Sequence, residues 1–192
     1  MKKLLILALA LLMAMTAASA SLAEPEMAEG ADSDWYMEIL ADEAMIAQYP
    51  YHAFVDINDN GVPVLLISTT QESFIGDEDK GIVYLYDQGA PKQVLEVGGE
   101  GGEIFYANLD EHTLTHFSRL SGEAHIEVYR AADGALELVT KVDTYQPHHS
   151  PDIDNEQVLC YQDGQEITEE AADALMGRYA TDNAITYVPM DD

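Results

Sequence analysis

"GIVYLYDQG", residues 81–89, decides how this chain is read. In an extended backbone Ile82, Tyr84 and Tyr86 fall on one side and Val83 and Leu85 on the other, and Gln88-Gly89 then supplies a turn. The same alternation returns in "HIEVYR", residues 125–130, where Ile126 and Val128 point one way and His125, Glu127 and Tyr129 the other. Turn signals recur at Asn60-Gly61, Gly76-Asp77, Gln88-Gly89, Gly101-Gly102, Asp110-Glu111, Ser121-Gly122 and Asp133-Gly134, mostly about ten to thirteen residues apart. Each interval holds one strand of about five or six residues and a short turn, the pattern of consecutive antiparallel hairpins. It leaves no room for the crossover helices that a parallel sheet requires.

The flanks read differently. Ser33 is placed to cap a helix running to about Gln48, with Trp35, Ile39, Leu40 and Ile46 as its buried stripe and Pro50 beyond its end. Residues 144–157, "TYQPHHSPDIDNEQ", break the alternation and read as a long loop. "VLCYQ", residues 158–162, is a last central strand, followed by a turn at Asp163-Gly164. Thr168 then caps a helix, "EEAADALMGRY", whose Glu169 and Glu170 suit the positive end of the helix dipole. "AITYVPM", residues 184–190, reads as a short edge strand. The expected fold is α+β and mainly β: an antiparallel meander, propeller-blade-like or a sandwich, with an N-terminal and a C-terminal helix.

Met1-Lys2-Lys3, the apolar run Leu4–Met15 and Ala18-Ser19-Ala20 have the form of a secretory signal peptide with cleavage after Ala20. The apolar run is shorter than the roughly 20 residues that span a bilayer. The chain is thus expected to be secreted, extracellular or associated with the cell envelope. It would consist of a signal peptide over 1–20, a disordered, acidic linker over 21–32 containing Pro25 and Gly30, and a single β-rich extracellular domain over 33–192. With 36 acidic against 8 basic side chains, the formal charge is −28, and loss of Lys2 and Lys3 makes it more negative. Such a field repels nucleic acid and anionic membrane and attracts cations and basic surfaces. Cys160 is the single cysteine, so no internal disulfide forms, and its apolar neighbours point to a buried, inert thiol.

The polar stretch "DINDNG", residues 56–61, precedes the aliphatic run "VLLIS". Asp56, Asn58 and Asn60 occupy positions 1, 3 and 5 of a loop with Gly61 at position 6, the first half of an EF-hand calcium loop. The second half is missing, since Val64 stands at position 9 and Ile67 at position 12. One charged ligand predicts weak calcium binding, in the ~10⁻⁴–10⁻³ M range, with a further ligand from elsewhere in the chain. The competing reading is a type I′ hairpin turn at Asn60-Gly61, with Asp56 and Asn58 bonded to their own backbone.

Phe54, Asp56, Ile57, Asn58, Asn60, Gly61, Pro63 and Leu65 resemble the D-I-D-x-N-G-x-P-E-L segment of many uncharacterised secreted or lipid-anchored bacterial proteins. The segment is also similar to the calcium-turn repeats of FG-GAP and VCBS-type propeller blades. Val64 departs from it, standing where those proteins have Glu, and the departure bears on the metal more than on the fold. "YQDGQEITEEAADALMGRY", residues 161–179, resembles their C-terminal segment. The resemblance covers under a quarter of the chain and implies an extracellular β-rich module.

Other clusters are less specific. His148, His149, Asp152, Asp154 and Glu156 crowd one loop without zinc-ligand spacing. "GGEGGE", residues 98–103, lacks the lysine and following helix of a phosphate loop and reads as a turn. His112, His116 and His125 fall on neighbouring strands, near Ser118 and Ser121, and read as surface residues. Tyr36, Tyr49, Tyr51, Tyr84, Tyr86, Tyr106 and Tyr129 form either an aromatic binding face or half-buried strand positions. No local catalytic motif is present. The expectation is a secreted, non-enzymatic binding or structural module whose ligand is a cation, a glycan or an extracellular protein. The alternative is a secreted hydrolase or inhibitor-like protein whose site assembles from distant residues.

Overall fold

The computed structural model describes residues 36–76, 78–98, 101–120, 122–145, 158–180 and 184–190. The signal peptide, the linker, Ser33, Trp35 and the histidines and acids of 148–156 lie outside the described residues. Within them the chain is mainly β, in two antiparallel sheets. Strands β1 (Tyr51–Val55), β2 (Val64–Ser68), β4 (Lys80–Asp87), β5 (Ala90–Gly98) and β12 (Val188–Pro189) form a five-stranded sheet in the order β12-β1-β2-β4-β5. The other seven are β3 (Phe74–Ile75), β6 (Gly102–Asn108), β7 (Thr113–Leu120), β8 (Glu123–Ala132), β9 (Ala135–Tyr145), β10 (Leu159–Gln162) and β11 (Gln165–Ile167). Their order is β11-β10-β9-β8-β7-β6-β3. The described strands close neither a barrel nor a propeller.

Alternation explains the layering. Val64, Leu66, Val83 and Leu85 face the layer shared by the two sheets, where they meet Phe105, Ala107 and Leu114. Their sequence neighbours Leu65, Ile67 and Ile82 point the opposite way, onto Tyr36 and Tyr49. Strand β2 is therefore buried along its whole length, as a strand covered on both faces must be. Short helices α1 (Met37–Leu40) and α2 (Glu43–Gln48) supply the outer cover. The expected single helix over 33–48 is thus two: the Asp42 side chain accepts from the amides of Ala44 and Met45 and starts a new N-terminus.

On the far side of the seven-stranded sheet Ile126, Val128, Val142 and Cys160 pack against α3 (Glu169–Tyr179). The Thr168 hydroxyl accepts from the Ala171 amide at the start of that helix. Helix α3 is followed by β12, so it is not the last element of the fold. Cys160 is 1% exposed, and burial raises its thiol pKa. The tyrosines spread over several faces rather than one: Tyr36, Tyr49, Tyr84 and Tyr86 lie beneath the first helices, while Tyr51 borders the shared layer.

The seams between the sheets escape local pattern. Strand β2 pairs with β4 rather than β3, and β3 crosses to the edge of β6. Between β5 and β6 the chain passes from one sheet to the other at the glycine-rich 98–102 corner. Gly98 (φ 114°) and Gly101 (φ 88°) adopt backbone that side chains rarely reach. A Cβ on Gly98 would collide with the Asp79 carbonyl, one on Gly101 with the Arg119 carbonyl. Of the stretch read as a turn, Gly98, Gly101 and Gly102 are thus closely packed at this crossing. The last segment joins the sheets a second time: the Ile185 amide donates to the Phe105 carbonyl, and the Met190 amide to that of Pro50 (both 2.9 Å).

Gly89 (φ 90°) has open space around it. Gly89→Ala should cost about 1–2 kcal/mol of backbone strain, and Gly101→Ala distinctly more, because its Cβ also meets backbone. Urea unfolding midpoints of the two variants check the order.

Candidate functional site

Two places concentrate polar chemistry. The first is the loop between β1 and β2, residues 56–63. It is not the two-residue turn expected at Asn60-Gly61, because positive φ falls at Asp59 (50°) and Gly61 (76°). The Asp56 carboxylate gathers the loop, accepting from the Asn60 amide at 3.2 Å and the Gly61 amide at 2.7 Å. Asn60 Oδ1 accepts from the Val62 amide (2.9 Å), and Asn58 Nδ2 donates across to the Ala131 carbonyl (3.1 Å). Behind the loop, His112 Nδ1–H donates to the Ile57 carbonyl at 2.9 Å.

Asn58 and Asn60 thereby line a cleft of about 200 Å³, shared with Tyr86, Asp133 and Gly134. Lys92 Nζ reaches the Gly134 carbonyl at 2.8 Å. Asp133 is an oxygen donor from another strand connection that position counting along 56–67 could not supply. Asp56 is the charged ligand of the half-loop, and both its oxygens already serve backbone amides. Among the described residues no three His, Cys, Asp or Glu side chains are grouped to hold a metal ion.

The second place is a polar ladder across β6–β9, on the face of the seven-stranded sheet that also carries Phe105 and Leu114. Register brings His116 opposite Glu127, Glu127 opposite Lys141, and His125 opposite Asp143. Residues two apart on one strand share a face, so Glu103, Ser118, His125, Asp143 and Tyr161 form the next row. His116 is 9% exposed and stacks beside Phe105, ring centroids 5.1 Å apart. Its Nε2 lies 3.0 Å from Glu103 and its Nδ1 3.6 Å from Glu127. The Tyr129 hydroxyl donates to Glu127 at 2.7 Å, Lys141 lies 3.3 Å from Asp143, and His125 Nδ1 is 2.6 Å from Asp143. His125, Tyr145 and Tyr161 continue the row as edge-to-face rings about 6 Å apart.

Of the three histidines read as surface residues, His116 and His125 are thus set among carboxylates, while His112 holds the Ile57 carbonyl. What sequence showed was that His125, Glu127 and Tyr129 share a face. Which residues of β6, β7 and β9 oppose them is fixed by register, which a single strand does not reveal. Burial works against a charged His116, but the bonds and charges of Glu103 and Glu127 prevail and raise its pKa. The His116 bond, helped by Tyr129 and opposed by burial, lowers Glu127 to about 2. Burial and the Glu127 carboxylate both keep the Tyr129 phenol protonated.

The class of protein so defined is an antiparallel two-sheet fold with helices on both outer faces and a titratable ladder on its inner face. No family model, curated protein or solved structure matches the chain. The resemblance of residues 54–65 therefore rests on those residues alone. No helix among the described residues is long and apolar enough to cross a membrane.

A depressed carboxylate contributes stability that is present above its unfolded value, near 4.5, and lost as pH falls through about 2. Acid titrations of stability should show wild type losing more across that window than Glu127→Gln. Equal losses would detach Glu127 from His116.

Proposed function

We propose that this chain is an exported, non-enzymatic binding module that holds the cationic groups of a partner along the β8–β10 part of the ladder. The reading is carried by one observation: an inner-face strip over β8 and β9 that sets Glu123, Glu127 and Asp143 beside His125 and Lys141, next to the buried pair Glu103 and His116. Its acids and imidazoles are paired with one another, and among the described residues no serine, cysteine or threonine nucleophile is bonded to either histidine. Tyr145 and Tyr161 add aromatic surface at one end, which favours ammonium and guanidinium groups. The formal charge of −28 disfavours a second copy, nucleic acid or an anionic membrane as occupant.

Fluorescence polarisation with labelled oligoarginine, oligoglutamate and a neutral oligosaccharide tests the reading. Oligoarginine alone should bind, more weakly as salt rises. Asp143→Asn or Tyr161→Ala should weaken it about tenfold, whereas Glu170→Gln on the remote helix α3 makes the same charge change as Asp143→Asn with little effect. Equal effects would mean diffuse charge attraction and overturn the strip. Turnover of an ester, glycoside or peptide substrate that Glu127→Gln abolishes would favour the hydrolase reading instead.

Weak calcium binding at the Asp56 loop is a second reading, favoured by Asp133 facing Asn58 and Asn60 across the cleft. Calorimetric titration should give a millimolar-range calcium isotherm that Asp56→Ala removes and magnesium does not reproduce. An isotherm unchanged in Asp56→Ala would exclude this loop.

A further inference from the structure

The glycine corner and the ladder meet at one side chain. Glu103 is 7% exposed and is held from two directions: one carboxylate oxygen accepts from the Gly98 amide at 3.2 Å, the other lies 3.0 Å from His116 Nε2. Gly98 is where β5 ends against Asp79 and the chain leaves the five-stranded sheet. His116 belongs to the seven-stranded sheet, and its other nitrogen faces Glu127. A buried carboxylate is costly unless paired and hydrogen-bonded. The crossing between the sheets therefore depends on a charge pair.

We propose that His116 is a proton-operated latch on the crossing between the two sheets. Protonated, it has two N–H groups for two carboxylates and draws Glu103 and Glu127 together. Neutral, it has one N–H to share between them, and two partly desolvated carboxylates then face each other with less to compensate them. The titratable and charged groups facing it are Glu103 from β6, Glu127 and Tyr129 from β8 and, through Glu127, Lys141 and Asp143 from β9. From the five-stranded sheet the corner presents the Gly98 amide. Tyr129 already donates its proton to Glu127, and Lys141 sits 3.8 Å from it, so β8 and β9 keep Glu127 held when His116 lets go. Among the described residues Glu103 has the Gly98 amide but no such second cation, so the release is felt at the corner.

The sign follows from the raised imidazole. A group bound more tightly to its proton in the closed state contributes stability fully present below its unfolded value, near 6.5, and lost as pH rises through the closed-state value. The corner is latched in mildly acidic medium and loosens toward alkaline pH. It does so whether or not the ladder binds a cationic partner.

Hydrogen exchange of the full chain from pH 5.5 to 9, corrected for intrinsic rates, tests this. The opening equilibrium read at amides 98 and 102–105 should rise by up to about tenfold per pH unit above pH 6.5. Amides of β10 and α3 should show no such rise. His116→Gln should flatten the dependence at the corner, and His125→Gln should leave it in place. Independently of how His116→Gln folds, the imidazole of the wild-type protein is also titrated by NMR, with an expected midpoint above 6.5. A midpoint at or below 6.5, or a pH dependence that survives in His116→Gln, would overturn the latch.

Discussion

Ala53, Val64, Leu66, Val83 and Leu85 from one sheet, Ile57 from its β1–β2 loop, and Phe105, Ala107 and Leu114 from the other sheet occupy a single apolar layer. Each sheet has one face that water cannot be allowed to reach, and each is the other's cover. With no disulfide possible, this shared burial is the main bond between the halves of the molecule. Every other feature is arranged around it. The helices cover the outer faces, where the alternate residues of the same strands emerge. Where the chain steps between the sheets, Gly98 and Gly101 stand at points where a Cβ would meet the Asp79 and Arg119 carbonyls.

Much of this was legible in residues 81–97 and 123–142, since period-two alternation is a local property and each strand carries it in full. The hairpin turns were legible for the same reason: Gln88-Gly89, Asp133-Gly134 and Asp163-Gly164 all take positive φ, as their residue types allow. The partition into two sheets was not legible. Alternation shows that a strand has two faces but not which strand lies beside it, so the step from β2 to β4 and the transfer of β3 have no local signature. The helix over 33–48 failed where a periodic stripe was followed through Asp42, a residue better suited to start a helix than to sit within one.

The same contrast holds for the two polar sites. The Asp56 loop was found by spacing, because its groups are neighbours in sequence. Its contact with Ala131 and its cleft with Asp133 were not, because they come from another hairpin. The ladder was nearly invisible. Glu103, His116, Glu127 and Asp143 stand on four strands, and only their register makes them one group. A charged residue on a strand reads as solvent-facing until the strand opposite is known. Here His116 and Glu103 are buried because each supplies what the other lacks.

Residues 184–190 carry a consequence for the order of events in folding. Ala184 bridges to Tyr106 and Val188 pairs with His52, so one short stretch stitches the edges of both sheets. Ile185 and Tyr187 complete the shared apolar layer. In a chain made from its amino end, this stitch comes only after the other described strands and helix α3 have appeared. Local hairpins such as β8–β9 can form early, but the two sheets cannot close on a finished interior before then.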